Sequence, residues 1–148
     1  MARTTDPVLE KLASVDLFEG LSGADLRRIR EAGKELRFEA GSDLAVQGRE
    51  GGRFFLILDG EVEIALAGRT ARVMGPGEYL GELSLIDGAP RSASATARTA
   101  VQTWSLASFA FRPLLRQYPA MAEKVMLLLC RRLRAAEDAL ASGASKGR

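Results

Sequence analysis

Histidine is absent from all 148 residues, and cysteine occurs once, at Cys130. The first absence removes Ser–His and Cys–His nucleophile pairs, histidine general bases and zinc sites built on imidazole. With a single thiol, little remains to hold a transition metal and no internal disulfide can form. No catalytic residue, metal ligand or cofactor is therefore expected, and the chain reads as a non-enzyme. A lone thiol suits a reducing compartment, so the expected location is cytoplasmic. Long apolar runs are also missing, and no signal-like start precedes the first acidic residues, so no membrane contact is expected. Nor is there an excess of either charge. The 21 Lys and Arg stand against 19 Asp and Glu, a net +2 with the basic residues scattered, which leaves no evident nucleic-acid footprint.

An apolar content of 47% suits one compact domain with a real core. The pattern changes twice along it. Residues 1–33 read as helical: Asp6-Pro7 caps a first helix and Ser22 a second, with Leu26 and Ile29 on its apolar face and Arg27, Arg28 and Arg30 pointing away. From 34 to 107 the period shortens to that of strands separated by turn residues. Phe54 to Leu58 ends at Asp59-Gly60, a hairpin signal leading into Glu61 to Leu66. Many short strands with glycines at their corners imply a small sandwich or barrel. Helical spacing returns over 108–141, where Ser108 is read as an N-cap and Pro119 opens the longest helix. Residues 142–148 are small and polar and are expected to be a disordered tail. Cys130 lies among apolar residues and is expected in the core.

One stretch, Gly81 to Ala93, carries chemistry. Gly81 lets the backbone approach a ligand, and Leu83 and Ser84 open a short helical turn whose first amides are unpaired. Arg91 adds a permanent cation with a planar fork of donors suited to phosphate oxygens. Glu82 would repel a phosphate, but it would accept hydrogen bonds from a ribose hydroxyl. A phosphate beside a ribose is a nucleotide.

The segments Gly81-Glu82-Leu83-Ser84-Leu85 and Pro90-Arg91-Ser92-Ala93 resemble the phosphate-binding cassette of cyclic nucleotide-binding domains. Leu17-Phe18 with Leu21-Ser22 and Leu26 resembles that family's opening pattern. Phe55-x-Ile57-Leu58-x-Gly60-x-Val62 is similar to its central strand–turn–strand, and Gly75-x-Gly77 precedes Gly81-Glu82 with its spacing. The resemblance implies a mainly β fold with flanking helices: a double-stranded β-helix, or jelly-roll-like β roll, with N-terminal helices and a C-terminal lid helix. It implies that Arg91 pairs with the cyclic phosphate and Glu82 with the ribose 2′-hydroxyl. Backbone amides near Leu83, Ser84, Ser92 and Ala93 complete the phosphate shell.

By the same resemblance Arg72, which shares a strand face with Thr70 and Met74, falls where cyclic-GMP binders place an arginine against guanine, and Ser92 would reach the guanine amino group. Arg72 is equally readable as a solvent-facing strand residue, and bacterial cyclic-AMP binders also carry serine after the arginine. Cyclic AMP is thus the expected ligand, with cyclic GMP the alternative. On the last helix, Met121, Val125, Leu128, Leu129, Leu133 and Ala136 form a broad apolar band that could close over the base or meet a second copy as a homodimer. Arg132 matches an arginine near the bound phosphate in bacterial activators, while Ala136 and Glu137 replace their adenine-binding hydroxyls. The expected role is that of a regulatory sensor acting on a protein effector, without a DNA-binding domain in this chain. The rival is a β-roll interaction domain that has lost its ligand.

Overall fold

The computed structural model describes residues 6–49, 51–90 and 93–145. Helix α1 (Pro7–Leu12) starts where Asp6 accepts a hydrogen bond from the Val8 amide at 2.9 Å. After a 3-10 turn (Asp16–Phe18), helix α2 (Gly23–Ala32) starts where Ser22 Oγ accepts from the Asp25 amide at 3.1 Å. Both caps satisfy amides that a helix start leaves unpaired.

Burial works against ionisation of Asp6, but the Val8 amide and Arg30 hold its carboxyl below the ordinary 3.8. Replacing Asp6 by alanine should cost about 1 kcal/mol in urea unfolding at neutral pH, mostly as a lost cap, since the pairing with Arg30, partly open to solvent, contributes little. Because the folded value is the lower one, this contribution is present above pH 3.8 and is lost as pH falls through the folded value. The difference between wild type and Asp6→Ala should therefore narrow in acid.

Among the described residues, eight antiparallel strands form two four-stranded sheets, ordered β1-β8-β3-β6 and β2-β7-β4-β5. The strands are β1 (Lys34–Phe38), β2 (Asp43–Ala45), β3 (Arg53–Asp59), β4 (Val62–Leu66), β5 (Arg69–Met74), β6 (Tyr79–Leu80), β7 (Ser94–Ala97) and β8 (Val101–Ala107). This is the expected mainly β roll with flanking helices. Its central strand explains its own composition. Phe55 and Ile57 of β3 face the other sheet, in a core with Val62, Ala95, Ala97 and Val101. Phe54 and Leu56 face the opposite way, into a second core with Trp104, Phe18, Phe111 and Met121. A strand buried on both faces reads as a continuous apolar run.

The Asp59-Gly60 hairpin is not found. β3 and β4 lie in different sheets, so the chain crosses between layers there. Gly60 has φ +93°, and a Cβ on it would overlap the Ala100 carbonyl oxygen. Close approach of two chain segments, rather than a two-residue turn, demands the glycine. The tight hairpin is instead β4–β5, where Leu66 pairs with Arg69 and the intervening Ala67 and Gly68 both have positive φ.

The chain closes with α3 (Ser84–Asp87) between β6 and β7, then α4 (Ser108–Gln117) and α5 (Pro119–Ser145). Ser108 is not the cap expected. The cap position is Ala107, and the Ser108 hydroxyl is engaged elsewhere. α5 continues to Ser145, so residues 142–145 of the expected tail are helical, while 146–148 lie outside the described residues. α5 buries Met121, Val125 and Leu128 at i, i+4, i+7 spacing and leaves Leu133 exposed. Cys130 is exposed rather than buried, because two residues past Leu128 put it on the opposite side of the helix.

Candidate functional site

The turn after β5 is built by its own side chains. Glu78 Oε2 accepts from the Gly75 amide at 2.8 Å, and Gly77, at φ +89°, donates its amide to Ile57 O at 2.8 Å. Glu78 also pairs with Arg72, which fixes the guanidinium beside the turn. The two residues of β6 pair with Phe55 and Leu56 of β3, and Gly81, at φ +82°, then turns the chain out of the sheet. A side chain at Gly81 would be strained in that conformation. α3 follows and ends at Gly88, at φ +64°, whose amide donates to Ser84 O. Asp87 Oδ1 accepts from the Ala89 amide at 2.9 Å and shapes the next turn.

These turns surround a cavity of about 420 Å³. Ala45, Ile64, Met74, Leu80 and Ala95 give it an apolar floor, and Arg72, Gly81, Glu82, Leu83, Ser84, Asp87, Ala93 and Ser94 line the rest. Of the ten residues nominated from sequence, seven line this one space: Arg72, Met74, Gly81, Glu82, Leu83, Ser84 and Ala93. Arg91 and Ser92 lie outside the described residues. Thr70, expected on the face of Arg72 and Met74, instead reaches Glu63 Oε1 at 3.2 Å. The β4–β5 register shifts between Ile64 and Ala65, which re-aims the side chains on either side of it.

Arg132 reaches the site from α5. Its Nη2 donates to Glu82 Oε1 at 3.2 Å, over 50 positions of sequence. The second nitrogen, Nη1, and the second oxygen, Oε2, also lie 3.2 Å apart, but without the alignment of a hydrogen bond. Both atoms are buried, and neither has a hydrogen-bond partner among the described residues. Ala136 and Glu137, farther along α5, are exposed.

Tyr79 completes the surroundings. Its hydroxyl accepts from the Asp16 amide at 3.2 Å, and its ring packs against Phe54 with centroids 5.7 Å apart. Burial raises its pKa, with the Glu82 and Asp16 carboxylates adding to the effect and Arg132 opposing it. Sequence reading singled out neither Tyr79 nor Glu78. For Glu78, a carboxylate directly after the Gly75-Pro76-Gly77 run was an available signal. For Tyr79 nothing local distinguished it from a core aromatic.

No helix among the described residues is long and apolar enough to cross a membrane. Residues 35–118 match the family model for the cyclic nucleotide-binding domain. A CRP-like cAMP-activated global transcriptional regulator of Mycobacterium tuberculosis is 31% identical over 137 residues, which is 89% of this chain and 61% of that protein. A cyclic nucleotide-gated potassium channel of Mesorhizobium japonicum is 37% identical over 112 residues, 76% of this chain and 31% of the channel. This chain thus spans less than two thirds of either relative. The solved N-terminal domain of a transcriptional regulator from Streptomyces coelicolor superposes with a TM-score of 0.80 at 32% identity, covering 87% of this chain and 96% of that one. Fold, cavity and family match agree: the chain belongs to the cyclic nucleotide-binding domain family.

Proposed function

We propose that this protein is a cytoplasmic cyclic-nucleotide sensor rather than an enzyme, with cyclic AMP as its ligand. The observation that carries the reading is the Glu82–Arg132 pair at the cavity. Glu82 lines the cavity as a charged acceptor, and Arg132, which meets it at two points, brings a charged donor to the same place. A ribose hydroxyl next to a phosphate oxygen supplies one of each. Arg91 would carry the phosphate charge, with backbone amides near Leu83, Ser84, Ser92 and Ala93 around it. The cavity volume is within the range of small-ligand sites, and its mostly apolar floor suits a purine. Ligand that contacts the cassette and α5 together favours the state in which both are engaged, and that differential affinity is the signal to a protein effector. The exposed Met126, Leu127, Leu133 and Leu140 on α5 are surface for that effector or for a second copy.

Cyclic GMP is the second reading, favoured by one observation: Arg72 lines the cavity with its guanidinium steadied by Glu78. Calorimetry with each nucleotide separates the two. Cyclic AMP is expected to bind the wild type more tightly. Arg91→Ala should weaken binding by roughly 1.5–3 kcal/mol through loss of a charge-assisted contact. Arg72→Ala should leave cyclic AMP binding within about twofold. Selective loss of cyclic GMP binding in that variant would move the assignment to guanine. No heat signal with either nucleotide at millimolar concentration would leave the interaction-domain reading in its place.

A further inference from the structure

Ser108, the first residue of α4, touches two other segments at once. Its amide donates to the Gly52 carbonyl at 2.6 Å, and its hydroxyl donates to the Leu85 carbonyl in α3 at 2.9 Å. The second bond has a local cause. In a continuing helix the Ala89 amide would serve Leu85 O, but Ala89 gives its amide to Asp87 Oδ1 instead. The carbonyl left over at the end of α3 is the one Ser108 takes.

The loop on the far side is pressed onto the same turn. A Cβ at Gly51 would overlap the Ala89 carbonyl oxygen and come within 3.1 Å of Ser84 Oγ. At Gly52, φ +92°, the Cβ position lies 3.7 Å from Ser108 Cβ and 4.0 Å from Gly88 Cα. Three segments therefore meet at Ser108: the β2–β3 loop, the end of α3 and the start of α4. A shift of α3 must either carry the first turn of α4 with it or break the Ser108–Leu85 bond.

We infer that Ser108 is the positioning residue that couples α3, and through it the cavity wall, to α4 and the helix bearing Arg132. The inference rests on the nucleotide reading only for what moves α3, and its test has an arm that needs no ligand. In that arm Asp87→Ala loosens the turn after α3, and amide hydrogen exchange over residues 108–117 is followed by mass spectrometry. With Ser108 present, Asp87→Ala should raise exchange in α4 at least about twofold; with Ser108→Ala the same change should add almost nothing. Ser108→Thr, which keeps a hydroxyl, should restore the response. Independent, additive effects of the two substitutions would overturn the inference. In the second arm cyclic AMP is added. Ser108→Ala should keep its affinity within about twofold while the ligand-induced change in α4 and α5 exchange falls by about half or more. An undiminished change would also overturn it. If the wild type binds no cyclic nucleotide, the functional reading fails and the ligand-free arm alone decides this one.

Discussion

Truncating Trp104 to alanine should lower the unfolding free energy by about 3–5 kcal/mol, the range for deleting a large buried aromatic. For a domain whose total is about 5–15 kcal/mol, that is about a fifth or more of what holds it folded. The size of the effect follows from the position. Trp104 is fully buried in β8, with its ring near that of Phe54 and its indole N–H donating to Arg30 O at 3.3 Å. It thereby joins the roll to the end of α2. The packing around it is close, since a Cβ on Gly33 would overlap the indole ring. Urea unfolding of Trp104→Ala against Trp104→Phe separates the contributions. The phenylalanine variant keeps much of the packing and should lose only about 1–2 kcal/mol, including the hydrogen bond. A loss below about 1 kcal/mol for the alanine variant would show that this core is not where stability is concentrated.

Features with a local cause were the ones legible before the structure. The caps at Asp6 and Ser22 were readable because the capping oxygen and its amide lie two or three residues apart. The strands followed from their period and the glycines between them. β6 escaped because two residues carry no period, and its place is set by Phe55 and Leu56 more than twenty positions earlier. The Asp59-Gly60 turn was misread because a glycine at positive φ looks the same in sequence whether it closes a hairpin or lets another segment pass close by. Cys130 was misplaced because α5 carries apolar residues beyond the stripe that the domain buries, and hydropathy alone cannot say which stripe that is. In the site, Gly81, Glu82, Leu83 and Ser84 were readable as one local run. Arg132 was reached through the family resemblance, but its bond to Glu82 was not, since nothing within 50 residues of sequence announces it.

That bond carries the other large effect. Glu82→Ala should weaken cyclic-nucleotide binding by roughly 1.5–3 kcal/mol, on the order of tenfold to a hundredfold, because it removes a charged acceptor from a buried site. Arg132→Ala should also weaken it, and this direction distinguishes two mechanisms. If the pair blocked the site, ligand would have to break it, and removing Arg132 would tighten binding. The pair meets at two points: Nη2 donates to Oε1 at 3.2 Å, and Nη1 stands 3.2 Å from Oε2. Weaker binding by Arg132→Ala is the result expected if Arg132 orients Glu82 for the ligand rather than closing the site against it. The double variant should then lose less than the sum of the single losses, because each partner orients the other. Calorimetry of the two single variants and the double variant measures the coupling, and tighter binding by Arg132→Ala would reverse the mechanism. Stability should respond as well. Arg132→Ala leaves a largely buried carboxylate, its side chain 19% exposed, without its partner, and unfolding of the ligand-free protein should become easier. Glu82→Ala leaves the more exposed guanidinium, at 35%, and should cost less.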